Sequence, residues 1–462
     1  MVIKVGIFFG GASREREISF AGGRTVYDQL DRTLFEPIPI FVDSLGNFIL
    51  LDWKYLYHGT IREFYPSVAS IFGIPLYIES LAELSSAPQA QLIAGIGKKI
   101  EPSVFSQYFD IAFLCLHGPY GEDGTIQALL EWYHMPYTGS GILPSALGID
   151  KIFQKKLLHQ AGFLLPPSLT LTQQDWLHAP NKQLIFDQAI EAVGLPFVVK
   201  SSRQGSSIGV NIVHNKELAF FIEAINQSFF IEELSYSRWA NYHLEDKKSW
   251  LHKLTDVREG IGFPLYIAEE LFYTPNQLID YIEAYFQQKK KPLLLISSAA
   301  EQAILIESFI KGREFSCVVL EVAAGKPMAL PPTEMLKGEF RFDYRAKYLP
   351  GIVRKVTPMA LAPLLLKTIQ QQVVELFQLL NGQVYARIDG FVTEDNQILL
   401  NDPNTTAGMN PSSFLFHQAA EIGWNPTQLL TFIIQRSLAV RAAAYKGNGR
   451  ASWLLETLSS GI

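Results

Sequence analysis

Two stretches of the sequence combine the residue types needed to hold a cation. Ala386-Arg387-Ile388-Asp389-Gly390-Phe391 passes through the polar Thr393-Glu394-Asp395-Asn396 and returns as Leu400-Asn401-Asp402-Pro403-Asn404-Thr405. Both arms are rich in apolar residues at period two, the pattern of a β-hairpin. A symmetric hairpin sets Asp389 opposite Asp402 and Arg387 opposite Asn404. Cross-strand neighbours lie ~5 Å apart, so two ionised carboxylates there repel each other. A hard divalent cation removes that repulsion and favours carboxylate and amide oxygens. The alternative is a solvated hairpin whose two aspartates never meet.

Other candidates lie at turns. Gly10-Gly11-Ala12-Ser13 follows an apolar run and opens into Arg14-Glu15-Arg16-Glu17-Ile18-Ser19. It lacks the G-x-G-x-x-G spacing of a dinucleotide site, but Glu15 could pair with the ammonium of a small zwitterion; otherwise it is a charged first turn. His117 begins the glycine-rich loop His117-Gly118-Pro119-Tyr120-Gly121-Glu122-Asp123-Gly124 at the tip of a strand, where open α/β sheets bind ligands. Asp123 reads as a loop brace. Lys155, Lys200 and Gln204-Gly205-Ser206-Ser207-Ile208-Gly209 could grip phosphates through compact positive charge and backbone N–H groups. No Walker A loop occurs. Glu307 and Glu314 flank Phe309, a combination able to meet ribose hydroxyls and an adenine ring. Phe342-Asp343-Tyr344-Arg345-Ala346-Lys347-Tyr348 reads as a loop of the kind that closes over substrates.

These side chains need a scaffold. Residues 2–9 read as a buried strand and 15–30 as a helix with Ser13 as its N-cap. Residues 38–42 and 111–116 add strands to a parallel α/β layer. A helix over 150–162 and strands at 197–200 and 210–213 follow. Residues 303–309 and 315–320 read as a strand pair turning at Lys311-Gly312-Arg313. Residues 373–380 read as a helix before the carboxylate hairpin. The aromatic, mixed-charge stretch 229–300 carries no chemical motif and reads as a helical insertion.

Composition narrows the class. The chain has 462 residues, 48% of them hydrophobic, and a net charge of −6; mean hydropathy is +0.12. That length predicts two or three domains. The acidic balance supplies no field for nucleic acid. No apolar run reaches membrane-spanning length, and no cleavable leader is expected from Met1-Val2-Ile3-Lys4-Val5. The two cysteines, Cys115 and Cys317, sit within apolar runs and suit a reducing cytoplasm.

Taken in order, the motifs resemble the D-alanine–D-alanine ligase family of the ATP-grasp superfamily. The matching pieces begin with Gly10-Gly11-x-Ser13-x-Glu15-Arg16-Glu17-Ile18-Ser19, His117-Gly118-x-x-Gly121-Glu122-Asp123-Gly124 and Tyr137-x-Gly139-Ser140-Gly141. Asp150-Lys151-x-x-x-Lys155, Lys200-x-Ser202-Arg203-x-Gly205-Ser206-Ser207-x-Gly209 and Gly312-Arg313-Glu314-Phe315 follow. Asp343-Tyr344-x-Ala346-Lys347-Tyr348 and the hairpin complete the set, which spans residues 3–425.

The resemblance implies an α/β (α+β) ATP-grasp fold in three parts. These are an N-terminal α/β domain at 1–141 binding a first D-alanine, a central domain at 142–306 with an insertion at 229–300, and a C-terminal catalytic domain at 307–462. It implies a cytoplasmic homodimer making D-alanyl-D-alanine for peptidoglycan, with D-alanine and ATP as partners. ATP phosphorylates one D-alanine, and the amine of a second attacks the acyl phosphate. By position, Lys155, Lys200, Ser207, Glu307, Phe309 and Glu314 would bind nucleotide, and Lys347 would reach the phosphates from the closing loop. Asp389, Asp402 and Asn404 would hold two magnesium ions, with manganese as a substitute. Arg387 and the Gly408 N–H would hold the oxyanion. Glu15, with Ser206 and Tyr348, would anchor the first D-alanine. His117 is a further substrate contact, and Ser413 would meet the second carboxylate.

The sequence also departs from the family. Asp402 stands where glutamate is usual, Pro403 where an aliphatic residue is usual, and Ala407 where proline is usual. The competing readings are a ligase with another second substrate and an inactive nucleotide-binding paralogue; retention of Arg387, Lys200, Lys347 and both hairpin carboxylates weighs against the latter.

Overall fold

The computed structural model describes residues 2–65, 71–74, 78–337, 353–444 and 449–460. By contacts the chain forms two compact units, one of Met1–Ile61, Ile96–Leu165 and Ile310–Ile462, the other of Arg62–Gly95 and Pro166–Phe309.

The first unit holds two sheets. In the five-stranded one, Ile3–Gly10 pairs in parallel with Phe35–Val42 and Ile111–Leu114. Phe48–Leu51 and Gly97–Ile100 add antiparallel strands at one edge. Ile3–Gly10 is buried along nearly its whole length, as a strand covered on both faces must be. The helix that follows is Arg16–Gln29, with Glu15 at the N-cap position. Ser13 is therefore not the cap. Its Oγ accepts from the Glu15 N–H at 3.1 Å, two residues ahead of the cap position, and so shapes the approach to the helix.

The six-stranded sheet is built around Gly312–Ala323, Tyr385–Thr393 and Ile398–Asn404. Helix Pro363–Leu379 covers one face. Phe315, Cys317, Val319, Ile388 and Leu400 pack there against Ile369, Val373 and Leu376. Both cysteines are free and buried, and burial pushes their thiols far above the ordinary range.

In the second unit, strands Ser168–Thr172, Ala303–Ser308, Phe197–Ser201 and Val210–Val213 form an antiparallel sheet. Helices Lys182–Val193 and Leu218–Phe229 cover it, with Phe186 stacked on Phe221 at 4.6 Å. Ala303–Ser308 and Gly312–Ala323 thus belong to different sheets and do not form the expected pair. Each finds longer partners elsewhere: Ala303–Ser308 lies between two strands, and Gly312–Ala323 pairs along nine residues with Tyr385–Thr393.

Residues 229–300 are not purely helical, contrary to expectation. Ile231–Leu234, Leu265–Ile267, Glu270–Phe272 and Leu293–Ser297 form a second antiparallel sheet. Helices Tyr236–Ala240, Leu244–Thr255 and Pro275–Gln288 accompany it. The strands are short and alternate buried with less buried positions, a signal hidden among the longer helical runs. Trp250 ties helix to sheet, its Nε1 donating to Glu232 Oε1 at 2.6 Å. Gln277 Nε2 donates to Glu83 Oε1 at 2.7 Å, linking the insertion to Arg62–Gly95 within this unit.

Candidate active site

The carboxylate hairpin forms with the anticipated partners. Asp389 faces Asp402 and Arg387 faces Asn404. The register near the tip differs by one, since Gly390 faces Leu400, and a bulge at Asn401 absorbs the difference. That bulge decides the chemistry. Leu400 points into the core below the sheet, and strict alternation would send Asp402 and Asn404 to the same side. One extra residue moves both to the opposite face. Gly312–Ala323 contributes to that face in register, with Glu314 opposite Phe391 and Ser316 opposite Asp389. Glu314, Ser316, Arg387, Asp389, Asp402 and Asn404 therefore share one surface of one sheet.

Protein cations already meet the two carboxylates. Arg387 grips Asp389 with both arms, Nε to Oδ1 and Nη2 to Oδ2, each at 2.9 Å. Ser316 Oγ donates to Asp389 Oδ1 at 2.6 Å. Lys151 Nζ lies 3.4 Å from Asp402 Oδ1. The repulsion anticipated from the sequence is thus partly balanced without a metal. Asn404 Nδ2 donates to the Asp402 carbonyl at 2.9 Å, which leaves its Oδ1 as the acceptor atom. Among the described residues no group of three or more His, Cys, Asp or Glu side chains converges as a metal cage. Two carboxylates and an amide oxygen on one face nevertheless suit magnesium, which takes one or two carboxylates and completes its shell with water and phosphate.

Lys151 and Lys155 lie one turn apart on helix Lys151–Gln160, whose N-cap Asp150 accepts from the N–H groups of Ile152 and Phe153. Gly408 has open space around its Cα, so its backbone is approachable. Ser413 is the N-cap of helix Phe414–Glu421, its Oγ accepting from Phe416 N–H at 3.4 Å, and its own O–H can still donate.

At the end of strand Ile111–Leu114, His117 Nδ1 contacts Glu122 Oε1 at 3.1 Å, and Gly118 N–H donates to Glu122 Oε2 at 2.8 Å. Asp123 braces the loop as anticipated, accepting from Tyr120 and Thr125 N–H groups. Gly118 must be glycine: φ is +69°, and a Cβ would lie 3.2 Å from Glu15 Oε2. Glu15 and His117 thus meet at one loop. His117 Nε2 is buried and makes no hydrogen bond among the described residues. A cavity of about 660 Å³ adjoins it, lined by Val42, Phe48, Leu116, Leu129 and Trp132 among others.

Burial alone would pull the His117 imidazole below its ordinary 6.5, but Glu122 and, farther off, Glu15 outweigh burial and the opposing Arg387, so it is raised. A raised folded value means that the pair's stabilisation is complete below 6.5 and fades as pH rises through the folded value. An NMR titration should place His117 above 6.5, and Glu122→Gln should bring it down; a His117 value unmoved by that substitution would remove Glu122 as the cause.

In the second unit, Lys200 forms a buried ion pair with Glu307 between neighbouring strands. Phe309 follows Ala303–Ser308 and is partly exposed. Ser206 and Ser207 sit in the glycine-rich turn with φ of +53° and +61°. Gly209 closes that turn at φ +69°, where a Cβ would meet Ser201 Oγ at 2.1 Å. Lys347 and Tyr348 lie outside the described residues. The sequence attached no role to Lys151, Ser316 or Glu301. Lys151 stood inside a quoted motif, whereas Ser316 and Glu301 carried no local signal.

One unit holds a six-stranded sheet with a carboxylate-bearing face and a parallel α/β layer, the other holds a glycine-rich turn, and the fold class is that of the ATP-grasp proteins. Solved structures agree on the fold. A D-alanine–D-alanine ligase from Coxiella burnetii aligns with TM-score 0.61 at 20% identity, covering 96% of both chains. The VanG D-Ala:D-Ser ligase from Enterococcus faecalis aligns with TM-score 0.60 at 21% identity, covering 95% of this chain and 100% of the other. The D-ala D-ala ligase N-terminus family matches residues 4–140, and the D-ala D-ala ligase C-terminus family matches 157–234 and 284–435. The chain belongs to the D-alanine–D-alanine ligase family. The D-alanine–D-alanine ligase of Oceanobacillus iheyensis is 28% identical over 438 residues, covering 94% of this chain and 95% of its own. D-alanine–D-alanine ligase A of Escherichia coli K12 is 27% identical over 451 residues, covering 96% and 97%. The family match skips residues 235–283, inside the insertion anticipated at 229–300. Among the described residues no helix is long and apolar enough to cross a membrane.

Proposed function

We propose that this chain joins two D-alanines into D-alanyl-D-alanine at the expense of ATP, for peptidoglycan synthesis. The observation that carries the reading is the shared sheet face of Glu314, Arg387, Asp389, Asp402 and Asn404, in a chain matched by both ligase families. The γ-phosphoryl group passes to the carboxylate of the first D-alanine. The amine of the second attacks the acyl carbon, phosphate leaves, and the amine loses a proton.

In this reading the domain at 1–141 binds the first D-alanine, through Glu15 and His117, with Ser206 and Tyr348 in support. The central domain at 142–306 and the catalytic domain at 307–462 supply the nucleotide contacts. These are Lys155, Lys200, Ser207, Glu307, Phe309 and Glu314, with Lys347 on the closing loop. Asp389, Asp402 and Asn404 would hold two magnesium ions, or manganese in their place, which would neutralise phosphate charge. Arg387 and the Gly408 N–H meet the oxyanion, the kind of preorganised donor that contributes roughly 10²–10³ in rate. Ser413 donates to the second carboxylate. Positioning and charge neutralisation carry most of the rate in phosphoryl transfer. We place the enzyme in the cytoplasm, where its two free, buried thiols stay reduced, and expect a homodimer, a state that sedimentation would establish.

Phosphate release with D-alanine, D-lactate, D-serine and L-alanine as second substrates tests the reading. D-Alanine should give the highest rate near neutral pH, as expected of a chain matched by both D-alanine–D-alanine ligase families. Depsipeptide in excess at equal D-alanine and D-lactate would overturn that specificity, and no D-alanine-dependent release would overturn the function.

A further inference from the structure

The glycine-rich turn after strand Phe197–Ser201 adopts a costly backbone. Ser206, Ser207 and Gly209 all have positive φ, and each non-glycine residue there is held against its own preference. Something must hold the turn in that shape. On its exit side, Ser228 Oγ donates to the Gly209 carbonyl at 2.9 Å, and Ser201 Oγ donates to the Ser228 carbonyl at 2.7 Å. On its entry side stands Glu301, only 5% exposed. One carboxylate oxygen accepts from Ser202 Oγ at 2.8 Å, and the other from Gln204 Nε2 at 2.9 Å. Its carbonyl accepts from Gln173 Nε2 at 3.1 Å. Glu301 precedes strand Ala303–Ser308, which carries Glu307 and pairs with the strand carrying Lys200.

We propose that Glu301 is a positioning residue for nucleotide binding: its carboxylate spans Ser202 and Gln204 and so fixes the turn that presents Ser206 and Ser207. This rests on the ligase reading above and assigns to it a residue with no role in the chemistry. A carboxylate with both oxygens used by side chains of one loop acts as a two-point clamp. Charge-assisted hydrogen bonds of this kind are about twice as strong as neutral ones. Releasing the turn adds conformations that do not bind, and apparent affinity falls with the competent fraction.

The test is calorimetric titration of ATP into the wild type, Glu301→Gln and Ser202→Ala, with steady-state kinetics on each. Glu301→Gln keeps the shape but puts an amide where two donors need acceptors. It should raise Kd and KM for ATP about tenfold and raise KM for the first D-alanine a few-fold through Ser206, with kcat changed less than twofold. Ser202→Ala removes one clamp point and should raise Kd a few-fold. It also keeps the question open to measurement if Glu301→Gln does not fold. Equal ATP affinity in the wild type and the folded variants would overturn the inference while leaving the ligase reading intact. A uniform loss in every kinetic constant, tracking Tm, would also overturn it, because that marks a purely structural role. A wild type that binds no ATP would defeat the ligase reading itself.

Discussion

Replacing Arg387 with Met should lower turnover at least 10²–10³-fold, the typical cost of one lost oxyanion donor. The geometry adds a second loss. Arg387 holds Asp389 by two 2.9 Å hydrogen bonds, and both side chains are about nine-tenths buried. Removing one member of a buried pair leaves the other uncompensated, at a cost of roughly 3–5 kcal/mol in comparable cases. Ser316 still donates to Asp389, so the lower end of that range is expected. Thermal unfolding of Arg387→Met should therefore show a clear drop, one that saturating magnesium partly restores by neutralising Asp389. Arg387→Lys should recover much of the stability but little of the rate, because an ammonium lacks the two-pronged fork. Near-normal turnover in either variant would remove Arg387 from the chemistry.

Asp402→Asn should cost most of the turnover and leave the fold intact. Asp402 lies opposite Asp389, with Lys151 3.4 Å away as its protein counter-charge. The substitution keeps the shape, removes one charge from the proposed metal pair, and relieves the repulsion between two facing carboxylates. Tm should stay near the wild-type value, the relieved repulsion offsetting the lost ionic contact with Lys151, while magnesium affinity, read by calorimetry, falls at least tenfold. Asp402→Glu restores the residue usual in the family and should retain or raise activity, since the added methylene extends its reach towards the metals. The contrast separates a metal role from a fold role: a folding residue would lose stability in Asp402→Asn, and a bystander would lose nothing. Normal turnover of Asp402→Asn with magnesium-ATP would remove it as a ligand.

Much of the local structure was legible because its causes are local. Alternation from 385 to 404 announced the hairpin, and residue count alone set Asp389 near Asp402. The helix read over 150–162 forms as Lys151–Gln160, with Asp150 as its cap rather than its first residue. The apolar run at the amino end and its glycine turn predicted a parallel strand feeding a helix. Even the insertion was visible as a stretch without motif, and the family match skips most of it.

What the chain by itself determined, then, is which residues carry chemistry and which short segments present them, since propensity, capping and period-two or 3.6 spacing act within a few residues. Only the tertiary structure decided how those segments pair. It placed Ala303–Ser308 and Gly312–Ala323 in separate sheets, gave the insertion four strands of its own, and brought Glu301 to the loop carrying Ser206. It also set the face on which Asp402 and Asn404 lie, through one bulged residue at Asn401, and supplied Lys151 and Arg387 as partners for the two aspartates. The reason is physical: strand pairing and burial reward contacts between residues far apart in sequence, and a single extra residue in a ladder reverses every side chain beyond it.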